Sequence, residues 1–140
     1  MSKKIIITGG LGYLGTELCK LYSGLSWHHK IVVIDNRFIS ERVSQIRNWN
    51  MEFIHGDILD KKLMKKCLAD ADVVHHLAGI TDVPRTKNEA SKIKDEKIRE
   101  VGEIGTQNVL DSISDKCKII FPSTHVVYER INDVRKNINE

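Results

Sequence analysis

The feature that most constrains the fold is the stretch IIITGGLGYLG at residues 5–15, where an apolar run meets closely spaced glycines and a helical pattern follows. The run at 4–8 is continuous and β-branched, which is typical of a strand buried on both faces. Leu14, Leu18 and Leu21 recur at helical spacing and predict a helix over 13–23 with these leucines on one face. A buried strand followed at once by a helix favours a parallel sheet with helical crossovers.

The rest of the chain continues this alternation. Further strands are predicted at 30–35, 51–55, 72–77 and 117–122. Helices are predicted at 60–68, with Asp60 as the N-cap, and at about 89–113, and a short link joins the second and third strands. Candidates for the buried face of the long helix are Ile93, Val101, Ile104, Val109 and Leu110. The main candidate loop is 79–88, directly after a strand.

This order of elements predicts the α/β class, a Rossmann-type doubly wound parallel sheet that is incomplete on its C-terminal side. The alternating pattern fades after Tyr128, and the segment ERINDVRKNINE that follows is polar. We therefore expect a dinucleotide-binding domain over residues 1–128. Residues 129–140 are expected to be a polar loop or the start of a further part of the protein.

Length, charge and cysteine content exclude several classes of protein. The 140 residues suffice for one domain, and the net charge of +3 is too small and scattered to indicate a nucleic-acid partner. No stretch has the length and apolarity of a membrane span. Cys19, Cys67 and Cys117 are far apart, so we expect free thiols, no metal site and a cytoplasmic protein.

Gly9, Gly12 and Gly15 fit the pattern G-x-x-G-x-x-G between the first strand and the first helix. Gly9 permits a tight turn, the missing side chain at Gly12 lets a pyrophosphate approach, and Gly15 lets the helix pack closely on the strand. The helix N-terminus then presents free N–H groups to phosphates. The pattern predicts a dinucleotide site, and the alternative is a turn with incidental glycines.

Asp35 strengthens the dinucleotide interpretation, because it ends the second strand twenty positions after Gly15. A carboxylate there accepts hydrogen bonds from the adenosine ribose and repels a 2′-phosphate, which favours NAD over NADP. Arg37 lies two residues further on and could soften this preference. The alternative is that Asp35 is a turn residue at the end of a strand.

The chain also resembles the extended short-chain dehydrogenase/reductase family, in its NAD-dependent sugar epimerase/dehydratase group. The matching segments are TGGLGYLG at 8–15, DN at 35–36, GDI at 56–58, HHLAG at 75–79, GTQNVL at 105–110 and PSTHVVY at 122–128. Carried over by position, the resemblance implies that NAD is bound by Gly9, Gly12, Tyr13, Leu14, Gly15, Asp35, Asn36, Asp57, Ile58, Leu77, Ala78 and Gly79.

The resemblance also implies a catalytic role for Thr124, whose alternative is a threonine that caps a turn. The family's acid/base motif Y-x-x-x-K is not found after Tyr13, Tyr22 or Tyr128, and Gly102 stands where relatives usually have asparagine. His75 and His76 lie on the fourth predicted strand. We expect one or both to pack in or beside the sheet.

These observations predict the N-terminal portion of an NAD-dependent nucleotide-sugar epimerase or reductase. His125 and Val126 replace the acidic pair typical of 4,6-dehydratases, which argues against that reaction. The resemblance implies a small-molecule substrate and a possible homodimer of the full-length protein, and the 140-residue chain alone is expected to be inactive. The alternatives are a non-catalytic dinucleotide-binding or regulatory module and a reductase for a non-sugar carbonyl.

Overall fold

The computed structural model describes residues 1–81 and 92–123 of the chain. The strands are β1 Lys4–Thr8, β2 Lys30–Asp35, β3 Glu52–His55, β4 Val73–His76 and β5 Lys118–Ile120. The helices are α1 Tyr13–Tyr22, α2 Ser40–Asn48, α3 Lys61–Leu68, α4 Lys92–Arg99 and α5 Thr106–Leu110, with a π-helical segment Glu100–Gly105 joining the last two. All five predicted strands are confirmed, with ends that differ by at most two residues.

The five strands form one parallel sheet in the order β3-β2-β1-β4-β5. The chain builds outward from β1 in one direction and then crosses to β4 on the other side. This reversal between β1 and β4 is the topological switch point of a doubly wound sheet, beside which ligands bind at the carboxyl ends of the strands. The predicted α/β fold class is confirmed.

Each face of the sheet has its own apolar core, because successive residues of a strand point to opposite faces. Ile5 and Ile7 pack with Cys19 of α1 and with Val43 and Ile46 of α2. The other face carries the following core residues: Ile6, Val32, Ile34, Met64, Leu68, Val74, Val101 and Val109. Strands buried on both faces explain the continuous β-branched runs in the sequence.

The predicted short link between β2 and β3 is wrong, because this segment contains α2. Val43 and Ile46 are the two buried residues of α2, and the rest of the helix is mostly polar. Its N-cap is Ile39, which makes no side-chain capping hydrogen bond. Two apolar residues at helical spacing and no capping residue left little sign of a helix in the sequence.

The face of α1 that carries the leucines is not the face that docks on the sheet. Leu14 and Leu21 are exposed, and the buried residues are Gly15 and Cys19. The helix docks through Gly15 onto the backbone of the glycine turn, and Leu18 is the one of the three leucines that packs against the core.

The long helix is only partly as predicted. It is interrupted by the π-helical segment. Val101, Gly105 and Val109 are buried at four-residue spacing, and Asn108 is buried beside them. Ile104 and Leu110 lie beside this stripe and are exposed, so the prediction is wrong for them. Residues 82–91, the side chain of Ile93, and residues 124–140 lie outside the described part of the chain.

Candidate functional site

The strand register brings the predicted site residues to one edge of the sheet. Thr8 of β1 is level with Ile34 of β2 and His76 of β4. Because the strands are parallel, the residues that follow them emerge together at the carboxyl edge. Three predicted groups of site residues therefore lie together at the switch point: the glycine turn, the residues at Asp35 and those at Leu77.

The glycine loop is defined as residues 9–15, which comprise the turn after β1 and the first three residues of α1. Gly9 has φ of +69°, and a Cβ atom there would lie 2.6 Å from the backbone nitrogen of Ala78. A Cβ at Gly15 would lie 2.5 Å from the carbonyl oxygen of Gly9. At Gly12 the nearest atom would be 3.1 Å away, so the fold leaves more space at this position. Gly9 and Gly15 are thus required by the packing of the loop itself.

The loop leads into the N-terminus of α1 at Gly12, which no described side chain caps with a hydrogen bond. Tyr13 and Leu14, in the first turn, are 84% and 60% exposed. Backbone N–H groups at such a helix end have no intrahelical partner, and the helix dipole favours negative charge there. This end of α1 is therefore open to a phosphate.

Asp35 holds the glycine loop in place. Its buried carboxylate accepts a hydrogen bond from the N–H of Leu11 at 2.9 Å, and the Leu11 side chain is fully buried. Arg42 of α2 donates to the carbonyl oxygen of the same residue. Both backbone polar groups of Leu11, its N–H and its carbonyl oxygen, are therefore hydrogen-bonded by side chains that are distant in sequence. Sequence reasoning missed Leu11 and Arg42, and Arg42 lies on the unpredicted helix.

Arg37 binds the other oxygen of the Asp35 carboxylate. Its backbone N–H donates to Oδ1 at 2.9 Å and its Nε donates to the same atom at 3.3 Å. A terminal guanidinium nitrogen of Arg37 lies 3.8 Å from the position of a Cβ on Gly12. The guanidinium thus spans the space between Asp35 and the glycine loop.

The segment 56–58 is tied to β2 and to the long helix. Asp57 accepts hydrogen bonds from the Asn36 amide at 3.0 Å and from the N–H of Leu59 at 2.9 Å. The buried Asn108 amide donates to the carbonyl oxygens of Ile58 and Leu59. Asn108 lies in a motif that we singled out, but its role in orienting this segment was not predicted.

His76 connects the end of β4 to β1 and α5, and the prediction that it packs in the sheet is confirmed. Its ring lies 2.8 Å from the Thr8 hydroxyl and 3.0 Å from the Thr106 hydroxyl, and it stacks on Phe121. Burial lowers the pKa of His76, so the neutral imidazole is favoured. The N–H of Ala78 donates to the same Thr8 hydroxyl, which fixes the segment opposite Gly9.

His75 is buried on the opposite face of β4, as predicted. Its Nε2 lies 2.8 Å from the hydroxyl of Tyr22, and the two rings meet edge to face. Burial, with a smaller effect of Lys118, lowers the pKa of His75, and burial raises that of Tyr22. This pair links α1 to the sheet and lies among core residues.

Other predicted site residues have few contacts or fall outside the described residues. Leu77 donates its N–H to the carbonyl oxygen of Thr8, whereas Gly79 is exposed with open space around it. Gly102 is exposed on the π-helical segment. Thr124 and the rest of 124–128 lie outside the described residues, so the catalytic assignment stays a prediction.

A separate groove of about 570 Å³ lies at the amino edge of the sheet, lined by Ser26, Trp27, Arg47 and Asn50 among others. It is remote from the glycine loop. Over the described ranges 1–81 and 92–123, no cluster of acidic, histidine or cysteine side chains could hold a metal ion. In the same ranges, no helix has the length and apolarity needed to cross a bilayer.

Comparison with known proteins agrees with this geometry. The model of the 3-beta hydroxysteroid dehydrogenase/isomerase family matches residues 6–139. A UDP-N-acetyl-alpha-D-glucosaminuronate decarboxylase from Bacillus cytotoxicus is 32% identical over 130 residues, covering 91% of this chain and 38% of the relative. A CDP-paratose 2-epimerase from Salmonella typhi is 33% identical, covering 98% of this chain and 41% of the relative. The chain thus spans about two fifths of the length of these curated relatives.

Solved structures show the same fold. A UDP-glucose-4-epimerase from Stenotrophomonas maltophila with bound NAD superposes with a TM-score of 0.72 at 23% identity, covering 94% of this chain and 40% of that one. A UDP-N-acetylglucosamine 4-epimerase from Methanobrevibacter ruminantium gives a TM-score of 0.72 at 26% identity, covering 96% and 42%. The chain therefore belongs to the 3-beta hydroxysteroid dehydrogenase/isomerase family of extended short-chain dehydrogenases/reductases, and it corresponds to the N-terminal portion of its relatives.

Proposed function

We propose that this chain is the NAD-binding part of a nucleotide-sugar epimerase or reductase. The observation that carries the proposal is the glycine loop at the switch point of the sheet. Gly9 and Gly15 are required by packing, whereas a Cβ at Gly12, the N-cap of the uncapped helix, would meet the Gly9 oxygen less closely, at 3.1 Å. A glycine at the start of a helix suits close approach of a pyrophosphate.

The remaining residues at this edge fit the rest of a dinucleotide. Asp35 lies where the adenosine ribose is expected, since it ends the strand next to β1. Asn36, Asp57 and Ile58 would border the adenine, and their segment is held firmly by hydrogen bonds. Leu77, Ala78 and Gly79 follow β4 on the other side of the switch point and would line the nicotinamide half. Tyr13 and Leu14 would lie beside the phosphates.

When bound, NAD supplies a hydride acceptor or donor. This chain's residues would hold the phosphates, fix the ribose and keep the Ala78 segment against the glycine loop through Thr8. Thr124 would hydrogen-bond the substrate oxygen in the full-length protein. The names of the relatives, which include several UDP-sugar and CDP-sugar enzymes, support a nucleotide sugar as substrate.

Two other functions are compatible with a dinucleotide at the glycine loop. One is a non-catalytic module that binds the dinucleotide and regulates a partner. The other is a reductase of a non-sugar carbonyl, which the steroid enzymes named by the matching family model also support. We further propose a cytoplasmic location, a homodimer for the full-length protein and no hydride transfer by the 140-residue chain alone.

The test is isothermal titration of NAD into the 140-residue chain and into its Gly12→Ala and Gly24→Ala variants. A Cβ at Gly24 meets nothing within 4 Å, so this variant is a control for the Gly-to-Ala change itself. We expect Gly24→Ala to bind NAD as the parent chain does. Gly12→Ala should keep its fold by circular dichroism but bind at least about tenfold more weakly, because the methyl group occupies the phosphate approach. Unchanged binding by Gly12→Ala would contradict the proposal.

A further inference from the structure

We propose that His76 is a positioning residue of the dinucleotide site, whose neutral imidazole orients the Thr8 hydroxyl and through it holds the segment 77–79 beside the glycine loop. The inference rests on the proposed function, because it assumes a dinucleotide at this loop. It assigns one tautomer to His76 and makes the affinity for NAD depend on pH.

The segment 77–79 is tied to β1 by two hydrogen bonds to one residue, Thr8. The N–H of Leu77 donates to the Thr8 carbonyl oxygen at 3.1 Å, and the N–H of Ala78 donates to the Thr8 hydroxyl at 3.3 Å. The same segment packs on the glycine loop, because a Cβ atom at Gly9 would lie 2.7 Å from the carbonyl carbon of Leu77. The Thr8 hydroxyl therefore helps to set where this segment meets the loop.

The His76 ring connects Thr8 to two other parts of the carboxyl edge. The ring is fully buried, with Nδ1 2.8 Å from the Thr8 hydroxyl oxygen and Nε2 3.0 Å from the Thr106 hydroxyl oxygen. It also stacks on Phe121, the residue after β5, with ring centroids 5.6 Å apart. Contacts from β1, α5 and the end of β5 therefore hold the ring in one orientation, with one hydroxyl group at each nitrogen.

The direction of these hydrogen bonds follows from the number of protons. A hydroxyl donates one hydrogen bond and accepts up to two, and a neutral imidazole has one N–H and one acceptor nitrogen. The Thr8 oxygen accepts the Ala78 N–H, and within the described ranges its own proton has His76 Nδ1 as its one acceptor. The imidazole proton is then on Nε2, which donates to Thr106. The other tautomer would leave the proton of the buried Thr8 hydroxyl without an acceptor, at a cost in free energy.

Protonation of His76 would disrupt this arrangement. An imidazolium has an N–H on both nitrogens, so Nδ1 would donate to Thr8 and the Thr8 proton would lose its acceptor. The described groups that contact the ring are the hydroxyls of Thr8 and Thr106 and the phenyl ring of Phe121, none of which is charged or titrates near neutral pH. Burial lowers the pKa of His76 accordingly. NAD binding, which needs the segment 77–79 in place, should therefore weaken as the pH falls through this lowered pKa.

The experiment measures the affinity of the 140-residue chain and its variants for NAD by isothermal titration between about pH 8 and about pH 5. His76→Leu removes the acceptor at Nδ1, and Thr8→Val removes the hydroxyl. His76→Asn keeps an amide oxygen near the position of Nδ1 but does not titrate in this range. The double variant Tyr22→Phe, His75→Phe is the matched control, because it removes the neighbouring imidazole on the opposite face of β4.

At the upper end of the pH range, we expect His76→Leu and Thr8→Val each to weaken NAD binding about tenfold. Their combination should weaken it no more than either alone, because both changes break the same hydrogen-bonded unit. His76→Asn should bind within about threefold of the parent chain. Towards the lower end, the parent chain and the control should lose up to about tenfold in affinity per pH unit, and His76→Asn should lose less. NMR of the isotopically labelled imidazole nitrogens should place the proton of His76 on Nε2.

The failures of the two proposals are distinguishable. A folded parent chain that does not bind NAD overturns the proposed function together with this inference. NAD binding that Thr8→Val leaves unchanged, or a pH dependence that is the same in His76→Asn and the parent chain, overturns only the inference. The inference is also wrong if His76→Asn loses as much affinity as His76→Leu or if the imidazole proton is on Nδ1. If circular dichroism shows that His76→Leu does not fold, Thr8→Val and His76→Asn decide the result.

Discussion

At the carboxyl edge of the sheet a buried carboxylate, Asp35, binds a backbone N–H of the glycine loop, whereas at the amino edge the carboxylates lie in solvent. There, Lys4 pairs with Asp70, and Lys30 pairs with Glu52 at 3.2 Å. The amino edge also carries the groove of about 570 Å³, lined by exposed side chains such as Trp27. At the carboxyl edge, by contrast, the backbone of the glycine loop packs closely against itself and against the backbone of Leu77 and Ala78.

This difference separates the groove from the edge of the sheet where we propose that the dinucleotide binds. At the carboxyl edge only glycine fits at positions 9 and 15, because a Cβ atom at either position would lie too close to neighbouring backbone atoms. At the amino edge the carboxylates of Asp70 and Glu52 are exposed, and ion pairs with exposed partners add little stability. A dinucleotide site needs N–H groups that are fixed in place, and we propose that the glycine loop at the carboxyl edge supplies them.

The largest effect is expected for Gly15→Ala. The new Cβ would lie 2.5 Å from the Gly9 oxygen and 2.6 Å from the Gly10 Cα, and these backbone atoms cannot move without disrupting the loop. We expect the free energy of unfolding to fall by about 3 kcal/mol. Gly24→Ala, with open space around it, should change stability by less than about 0.5 kcal/mol. Urea denaturation followed by circular dichroism measures both free energies of unfolding. Equal losses of stability in the two variants would contradict the claim that packing of the glycine loop requires a glycine at position 15.

A smaller effect is expected for a matched pair of carboxylates, each of which accepts a backbone N–H. Asp35→Ala leaves the N–H of Leu11 without its acceptor in a buried position and should lower the free energy of unfolding by about 2 kcal/mol. Asp72→Ala removes an acceptor of the Lys4 N–H at the exposed amino edge, where water can replace it, and should cost less than about 1 kcal/mol. If the Asp72 variant is the less stable of the two, the distinction between the edges is wrong.

The pH dependence of stability tests a contact between α1 and the sheet interior. Burial holds the pKa of His75 below its usual 6.5, so the unfolded chain binds a proton at a pH where the folded chain does not. Stability is therefore complete above pH 6.5 and falls as the pH drops below it. The double variant Tyr22→Phe, His75→Phe has no imidazole at position 75 to titrate, whereas His76 titrates in both proteins and its effect cancels in the comparison. The parent chain should lose up to about 1 kcal/mol more per pH unit than the variant. Parallel curves from pH 7 to 5 would show that His75 titrates normally.

The smallest effect is expected for the Lys30–Glu52 ion pair at the amino edge. Its side chains are 60% and 49% exposed, so water and salt screen the attraction. Lys30→Ala should change the free energy of unfolding by less than about 0.5 kcal/mol. A double-mutant cycle with Glu52→Ala gives the coupling directly. Coupling above about 1 kcal/mol would mean that the amino edge also contributes to holding the fold.

The strands and the glycine loop were predictable because their signals are local. Continuous β-branched runs marked β1 and β2, and Asp60 was correctly identified as the N-cap of α3, where it accepts from the N–H of Leu63. The roles of Gly9 and Gly15 in the turn and in close packing followed from the motif. α2 was missed because it offers only Val43 and Ile46 as apolar signals.

The sequence by itself determined the order of the strands along the chain, the position of the glycine loop and the placement of Asp35 at the end of β2. These depend on short-range patterns of side-chain size and backbone freedom. Only the tertiary structure decided which groups meet at the loop. Asp35 and Arg42 reach Leu11 from 24 and 31 residues away, and the Arg37 side chain donates to the Asp35 carboxylate. Such contacts depend on the packing of α2 against the sheet, which no local pattern in the sequence specifies.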